Sequence, residues 1–389
     1  MKKIGRERGA GRLLLVVFLL MLTALPAASE GVPAADPLFS VSSDTYDPAL
    51  AQQALAIAET CYTLPLQQLY MGKLGYLKTG DYNMARQAGD TRHVAAYCVY
   101  QKAPGAGRDA LVIAVRGTGE GEWPLNMELM PGGRYDLEYA ENFFLAAQEV
   151  LDTLAEQIDG LQNPLFLITG HSRGAAVANI LGAKLTDRFG AENVYAYTFA
   201  TPRTVRGDYP AYGNIFNVIN PADLITYLPF PQWGFGRYGV DVTLPVDGAS
   251  PQLIAQVKEA YDQRADKIGE FAAFPDGSRF TVSFVETMAK AFPTVAESYT
   301  VRHALAHPGE AGPEEEGMTG SELLLLLATS TLGGGGEAQS ADLQKLGQGR
   351  NDFSAILLHV LSLISGPDAA ALGISHMPAS YGAWMAVTQ

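Results

Sequence analysis

Two rhythms of apolar and polar positions alternate through the middle of the chain. Short, nearly continuous apolar or β-branched runs recur at Cys98-Val99-Tyr100, Leu111 to Val115, Leu165 to Ile168, Val194 to Phe199 and Ile215 to Ile219. Runs of that length, without a polar position every second residue, predict strands buried on both faces. Between them, Leu137, Ala140, Phe144, Ala147, Leu151, Leu154 and Ile158 recur at three- and four-residue spacing, one face of a crossover helix. A second helix, rich in small residues, is predicted from Gly174 onward, and a further one over Pro48 to Thr60 should pack on the core. Strand and helix alternating from Tyr97 to Asn220 predict an α/β fold with a parallel sheet, right-handed crossovers and functional groups at the carboxyl ends of the strands.

After Asp223 the pattern changes. Tyr227 to Gly236 is loop-like and aromatic, and Arg237 to Leu244 alternates as a hairpin would. From Pro251 to Gly373, helical stretches are separated by breakers, among them the acidic loop Glu310 to Gly320 and the glycine run Gly333 to Gly336. This stretch reads as a helical insertion, a cap or lid on the α/β unit. Within it, Ser321 to Leu327 reads first as an ordinary buried helix and second as a lipid-facing element.

Composition narrows the class. A chain of 389 residues, 48% of them hydrophobic, can bury a large core, and 41 glycines with 22 prolines imply many loops within a compact fold. Lys2, Lys3, Arg6, Arg8 and Arg12, the apolar stretch Leu13 to Leu25 and the small residues Ala27 and Ser29 read as an export signal cleaved near Glu30. The alternative, an uncleaved anchor, needs about 20 apolar residues, more than are present. Removing those five basic side chains and Glu7 takes the net charge from −14 to about −18, which disfavours nucleic acid and anionic membranes as partners. Cys61 and Cys98 are the only cysteines, and an oxidising destination leaves their pairing open. The sparse histidines and cysteines form no metal set, and no cofactor motif is present.

The chemistry is concentrated in Gly170-His171-Ser172-Arg173-Gly174, which follows one predicted strand and opens a small-residue helix. That is the context of a nucleophile elbow: a serine on a tight strand-to-helix turn, with glycines on either side leaving room for neighbouring backbone. Four blocks then occur in order: Val115-Arg116-Gly117-Thr118 with Trp123; Thr169 to Ala175; Thr198-Phe199-Ala200-Thr201-Pro202-Arg203; and Asn217 to Asp223. Together, over about Tyr97 to Phe230, they resemble the class 3 lipase family, the fungal-lipase-like branch of the α/β-hydrolases.

The resemblance implies an α/β-hydrolase fold with a mostly parallel central sheet and a helical cap or lid before the C-terminal histidine. It also implies a triad in the order serine, acid, histidine. Asp223 stands where the family carries its acid, with Asp241 and Asp247 as alternatives and a simple turn aspartate as the plain reading. His303, His307, His359 and His376 follow it. His376, on an expected loop ahead of Tyr381 and Trp384, resembles the family's C-terminal histidine block. His171 is expected to be structural, and His93 precedes the sheet. The backbone N–H groups of Thr118 and Arg173 are the expected oxyanion donors.

The expected organisation is a signal peptide over 1–29, a hydrolase core over 30–250, a cap over 251–370 and a returning core segment over 371–389. The expected activity is hydrolysis of carboxylic esters, with acyl-ester or lipid substrates, transient contact with a lipid interface and no nucleic acid. The rivals are phospholipase A1-type, short-chain esterase, acyltransferase and peptidase activity, and an inactive secreted binding protein.

Overall fold

A computed structural model describes residues 36–84, 95–102, 108–118, 140–267, 269–272, 277–291 and 367–389. Its main sheet has seven strands: β1 (Tyr76–Tyr82), β2 (Tyr97–Lys102), β3 (Ala110–Val115), β4 (Leu165–His171), β5 (Val194–Phe199), β7 (Ile215–Ile219) and β9 (Val240–Thr243), adjacent in that order. β1, β2 and β3 pair antiparallel, and every pairing from β3 to β9 is parallel. A separate antiparallel pair joins β6 (Val205–Arg206) to β8 (Phe235–Gly236).

Two strands depart from the sequence reading. The alternation over 237–244 forms no hairpin, because its strand β9 joins β7 in parallel and extends the sheet. β1 was not signalled, since Tyr76–Tyr82 holds Lys78, Thr79 and Asp81 and only Tyr76 is fully buried. As an edge strand it needs one inward face, and polar residues are the usual protection of such an edge.

Helices cover both faces. α3 (Glu141–Asp159) and α4 (Arg173–Phe189) pack on the face carrying Leu111, Ile113, Phe166 and Ile168. On the other face, Val112, Ala114, Leu167, Tyr197 and Val218 meet α1 (Pro48–Thr60) and, near the C-terminus, α8 (Pro378–Thr388). α5 (Pro251–Asp262) joins this second layer through Val257 and Tyr261, both fully buried. Burial on both sides explains why β3 to β5 and β7 are apolar without alternation. Three further α-helices lie among the described residues: α2 (Leu64–Lys73), α6 (Gly277–Ala291) and α7 (Pro367–His376).

Asp47 starts α1 by accepting the Leu50 N–H at 2.6 Å, with Pro48 in the first turn where its missing N–H costs nothing. Cys61 and Cys98 are free, buried thiols: Cys61 Sγ lies 3.4 Å from the carbonyl of Ala114, the ladder partner of Cys98. The expected leader over 1–29, Leu137, His93, Trp123, His303, His307, His359 and the Ser321–Leu327 run lie outside the described residues.

Candidate active site

β4 ends at His171 and α4 begins at Arg173, so Ser172 makes the whole turn between them. It does so at φ 58° and ψ −127°, a conformation that costs a residue bearing a Cβ of order 1–3 kcal/mol. Backbone bonds hold it there, from Ser172 N–H to the Phe199 carbonyl at 3.0 Å and from Ala176 N–H to the Ser172 carbonyl at 3.1 Å. The two glycines of the motif are required by close approach. A Cβ on Gly170 would lie 2.4 Å from the Gly174 carbonyl oxygen, and one on Gly174 would lie 2.3 Å from that of Val115. Helix and sheet therefore touch backbone to backbone beneath the serine.

Asp223 follows β7 and N-caps a short 3-10 helix, Leu224–Tyr227, accepting the Ile225 N–H at 3.0 Å. The turn role expected of a plain aspartate is thus present, and the carboxylate serves a second partner as well. His376 Nδ1 donates to Asp223 Oδ2 at 2.9 Å, with Oδ1 at 3.0 Å. With Nδ1 protonated, Nε2 is an acceptor, and Ser172 Oγ donates to it across 2.9 Å. Serine, histidine and aspartate thus lie in one hydrogen-bonded line, and all three are buried. His376 is the last residue of α7, not part of the expected loop.

Several groups fix this line. The Tyr381 hydroxyl donates to Asp223 Oδ2 at 2.8 Å and accepts the Asn220 N–H at 3.1 Å. Burial, and then the Asp223 charge, push the Tyr381 phenol well above its ordinary range, so it stays a donor. Asn220 Nδ2 donates to the Ser375 carbonyl at 3.0 Å, and Ser375 Oγ contacts the Ala222 carbonyl at 3.2 Å, tying the acid loop to the end of α7. Thr281 of α6 donates to the same Ala222 carbonyl at 3.0 Å.

His171 holds the histidine's backbone. Its Nε2 donates to the His376 carbonyl at 2.8 Å, and its Nδ1 accepts from the Tyr62 hydroxyl at 3.3 Å. Burial, reinforced by the neighbouring His376, lowers its pKa to about 3, so His171 stays neutral even when His376 carries a proton. The structural role expected of His171 takes this specific form. Sequence reading missed Tyr62, which follows α1 in no motif, and the bonds of Asn220 and Ser375. Tyr381 was legible only as part of the C-terminal block.

Arg173 opens α4, where first-turn N–H groups have no intrahelical partner. Gly117, next to Thr118, lies so close to the elbow that a Cβ on it would be 2.7 Å from the His171 carbonyl oxygen. Arg173 thus adjoins the serine in the chain, and Thr118 follows a glycine packed against the residue before the serine. Asp241 lies on β9, where its Oδ1 accepts from Asn217 Nδ2 at 3.2 Å. Among the described residues no histidine, cysteine and carboxylate cluster could hold a metal.

The sequence model of the family Lipase (class 3) matches residues 112–233. That span holds the elbow, the acid and Thr118, and ends before His376. Among solved structures, the chain is similar to a lipase from Rhizopus microsporus var. chinensis at 14% identity and TM-score 0.40, over 56% of this chain and 85% of that one. It is also similar to the Rhizomucor miehei lipase in its native propeptide complex, at 16% identity and TM-score 0.40 over 58% and 79%. A mono- and diacylglycerol lipase from Aspergillus oryzae matches at 19% identity and TM-score 0.39, over 53% and 83%.

Proposed function

We propose, for a carboxylic-ester hydrolase whose residues 112–233 are those of a class 3 lipase, that lipid acyl esters are cleaved through an acyl-Ser172 intermediate. The observation that carries the reading is the line from Ser172 Oγ through His376 to Asp223, with 2.9 Å at each step. His376 Nε2 takes the Ser172 proton as Oγ attacks the ester carbonyl, and Asp223 holds the resulting imidazolium in place. The N–H groups of Arg173 and Thr118 receive the oxyanion, and losing one such donor costs about 3 kcal/mol in the transition state. His376 then returns the proton to the leaving alcohol, and water, deprotonated by the same nitrogen, releases the acid.

In this reading the protein is exported by its N-terminal segment and begins near Glu30, which N-terminal sequencing of secreted material tests. Ser172→Ala is expected to abolish ester hydrolysis in a folded protein, and retained turnover would overturn the mechanism. A panel of p-nitrophenyl esters of rising chain length, beside emulsified triacylglycerol and phosphatidylcholine, separates lipase from phospholipase A1-type and short-chain esterase activity. Labelling of Ser172 by a fluorophosphonate separates all of them from an inactive binding protein.

A further inference from the structure

We propose, resting on the acyl-Ser172 reading, that Tyr62 is a positioning residue whose hydroxyl holds His171, and through it the backbone of the base His376, against the end of the oxyanion strand at Gly117. Tyr62 stands in the turn Cys61-Tyr62-Thr63 between α1 and α2. Backbone bonds close that turn, from the Tyr62 N–H to the Glu59 carbonyl at 3.2 Å and from the Thr63 N–H to the Thr60 carbonyl at 2.8 Å. It is also attached to both strands that deliver the reacting groups. Thr169 of β4, two residues before His171, donates its hydroxyl to the Ala54 carbonyl of α1 at 3.0 Å. Cys61 Sγ lies 3.4 Å from the Ala114 carbonyl of β3, the strand that runs on to Gly117 and Thr118.

Tyr62 is 40% exposed, so its ring adds little to the core, and the hydroxyl is the part drawn inward. It donates to Nδ1 of the buried His171 at 3.3 Å. It also lies against Gly117, where a Cβ would be 2.0 Å from the Tyr62 oxygen and 2.7 Å from the His171 carbonyl oxygen. The phenol oxygen, Gly117 and His171 thus meet in one place. Thr118 is one residue beyond Gly117, and Ser172 is one residue beyond His171.

His171 transmits the contact because its ring is pinned at both nitrogens. Nε2 donates to the His376 carbonyl at 2.8 Å, so in the neutral ring Nδ1 carries only a lone pair and calls for a donor. The Tyr62 hydroxyl supplies it. Burial and the neighbouring His376 keep His171 neutral, with a pKa of about 3, so this polarity persists while His376 gains and loses its proton. A ring held at one nitrogen alone can turn about that bond, and the His376 backbone it supports moves with it. Transfer of the Ser172 proton across 2.9 Å is sensitive to such movement, since a displacement of about 1 Å can cost about a hundredfold in rate.

Steady-state hydrolysis of a p-nitrophenyl ester by wild type, Tyr62→Phe and Tyr62→Leu tests this role, beside 15N spectra of protein labelled at its six histidines, with His171 assigned through His171→Gln. Tyr62→Phe keeps the ring and removes the hydroxyl. It is expected to lower kcat about tenfold at near-constant KM, with an unfolding midpoint close to that of wild type. In the same variant the His171 Nδ1 resonance should move downfield, as for an imidazole nitrogen that has lost its donor. Tyr62→Leu, which removes the ring as well, should lose about as much in kcat. A folded Tyr62→Phe with wild-type kcat, whether or not its KM rises, would overturn the proposal, as would unmoved His171 resonances. So would a defect confined to Tyr62→Leu, or a midpoint that falls steeply together with kcat, since either assigns Tyr62 to packing. Failure of the underlying reading has a different mark: a wild type that neither hydrolyses the ester nor takes a fluorophosphonate at Ser172 would remove the acyl-serine mechanism, and with it the reaction that Tyr62 serves.

Discussion

At residue 172 the backbone is held where a side chain is unwelcome, at φ 58° and ψ −127°. Glycine relieves such a conformation and alanine does not, so Ser172→Gly should melt higher than Ser172→Ala, by about 1 kcal/mol in stability, with both inactive. Equal melting of the two would show that the elbow stores no strain. His171 yields a pH dependence. Its pKa falls from 6.5 to about 3 on folding, chiefly by burial, so between those values the unfolded chain binds a proton that the folded protein refuses. Stability therefore falls as pH drops through that window, by at most about 1.4 kcal/mol per unit from this group. His171→Gln, whose amide can still donate to the His376 carbonyl, should flatten the slope of urea-unfolding stability between pH 7 and pH 5 relative to wild type. Tyr381→Phe removes one of the three donors on Asp223, the others being His376 and the Ile225 N–H. It should lower kcat about tenfold at near-constant KM, because the imidazolium's partner is less well held.

Helix α4 shows how an element serves the site from beneath. Asn179, fully buried within it, donates to Asn217 Oδ1 at 2.9 Å and to the Tyr238 carbonyl at 2.8 Å, and its own oxygen accepts from Thr204 at 2.8 Å and from the Tyr238 N–H at 3.2 Å. One side chain thus joins α4 to β7 and to the segments that carry Thr204 and Tyr238. Asn179→Leu has nearly the right volume but leaves several buried polar groups without partners. A loss of about 3 kcal/mol is expected in denaturant unfolding, since each such group costs about 1–3 kcal/mol. Below 1 kcal/mol, the network would be dispensable and helix packing alone would hold the layer.

Across the whole molecule, closure depends on chain segments distant in sequence. Arg264, just beyond α5, pairs with Glu59 of α1 and with Asp266 at 3.0 Å, and it lies against Gly382 of α8, where a Cβ would sit 2.0 Å from its Nη1. The pair is largely buried, so Arg264→Leu should destabilise by about 3 kcal/mol through the buried carboxyl group of Glu59 that loses this partner, a group burial already pushes up to about 8. Adding Glu59→Leu should recover most of that loss. A double variant no more stable than Arg264→Leu, by thermal melting, would refute the account. Because α8 follows His376 directly, loosening this clamp should also raise the pH 7 turnover defect of Tyr381→Phe.

The central strands and the elbow were legible in the sequence because each has a local cause, while Asp223 and His376 were singled out through the blocks that resemble the family. A short apolar run rich in β-branched and aromatic residues, without alternation, suits a strand covered on both faces, and a serine between glycines at a strand-to-helix junction has few other uses. The order of Ser172, Asp223 and His376 along the chain was equally readable. Their juxtaposition was not, since His376 lies 153 positions after Asp223 and nothing local measures that closure. The same holds for edge strand β1, whose polar residues carry no period, and for β9, whose alternation suits a hairpin or a parallel edge until β7 claims it. The bonds of Tyr62, Asn220 and Ser375 were invisible for a related reason: hydrogen bonds between remote backbone and side-chain atoms leave no spacing in the sequence. Local sequence determined which residues bear chemistry and which segments must be buried. Tertiary packing alone decided which buried polar groups meet, because a polar group excluded from water takes whatever partner the fold brings within about 3 Å.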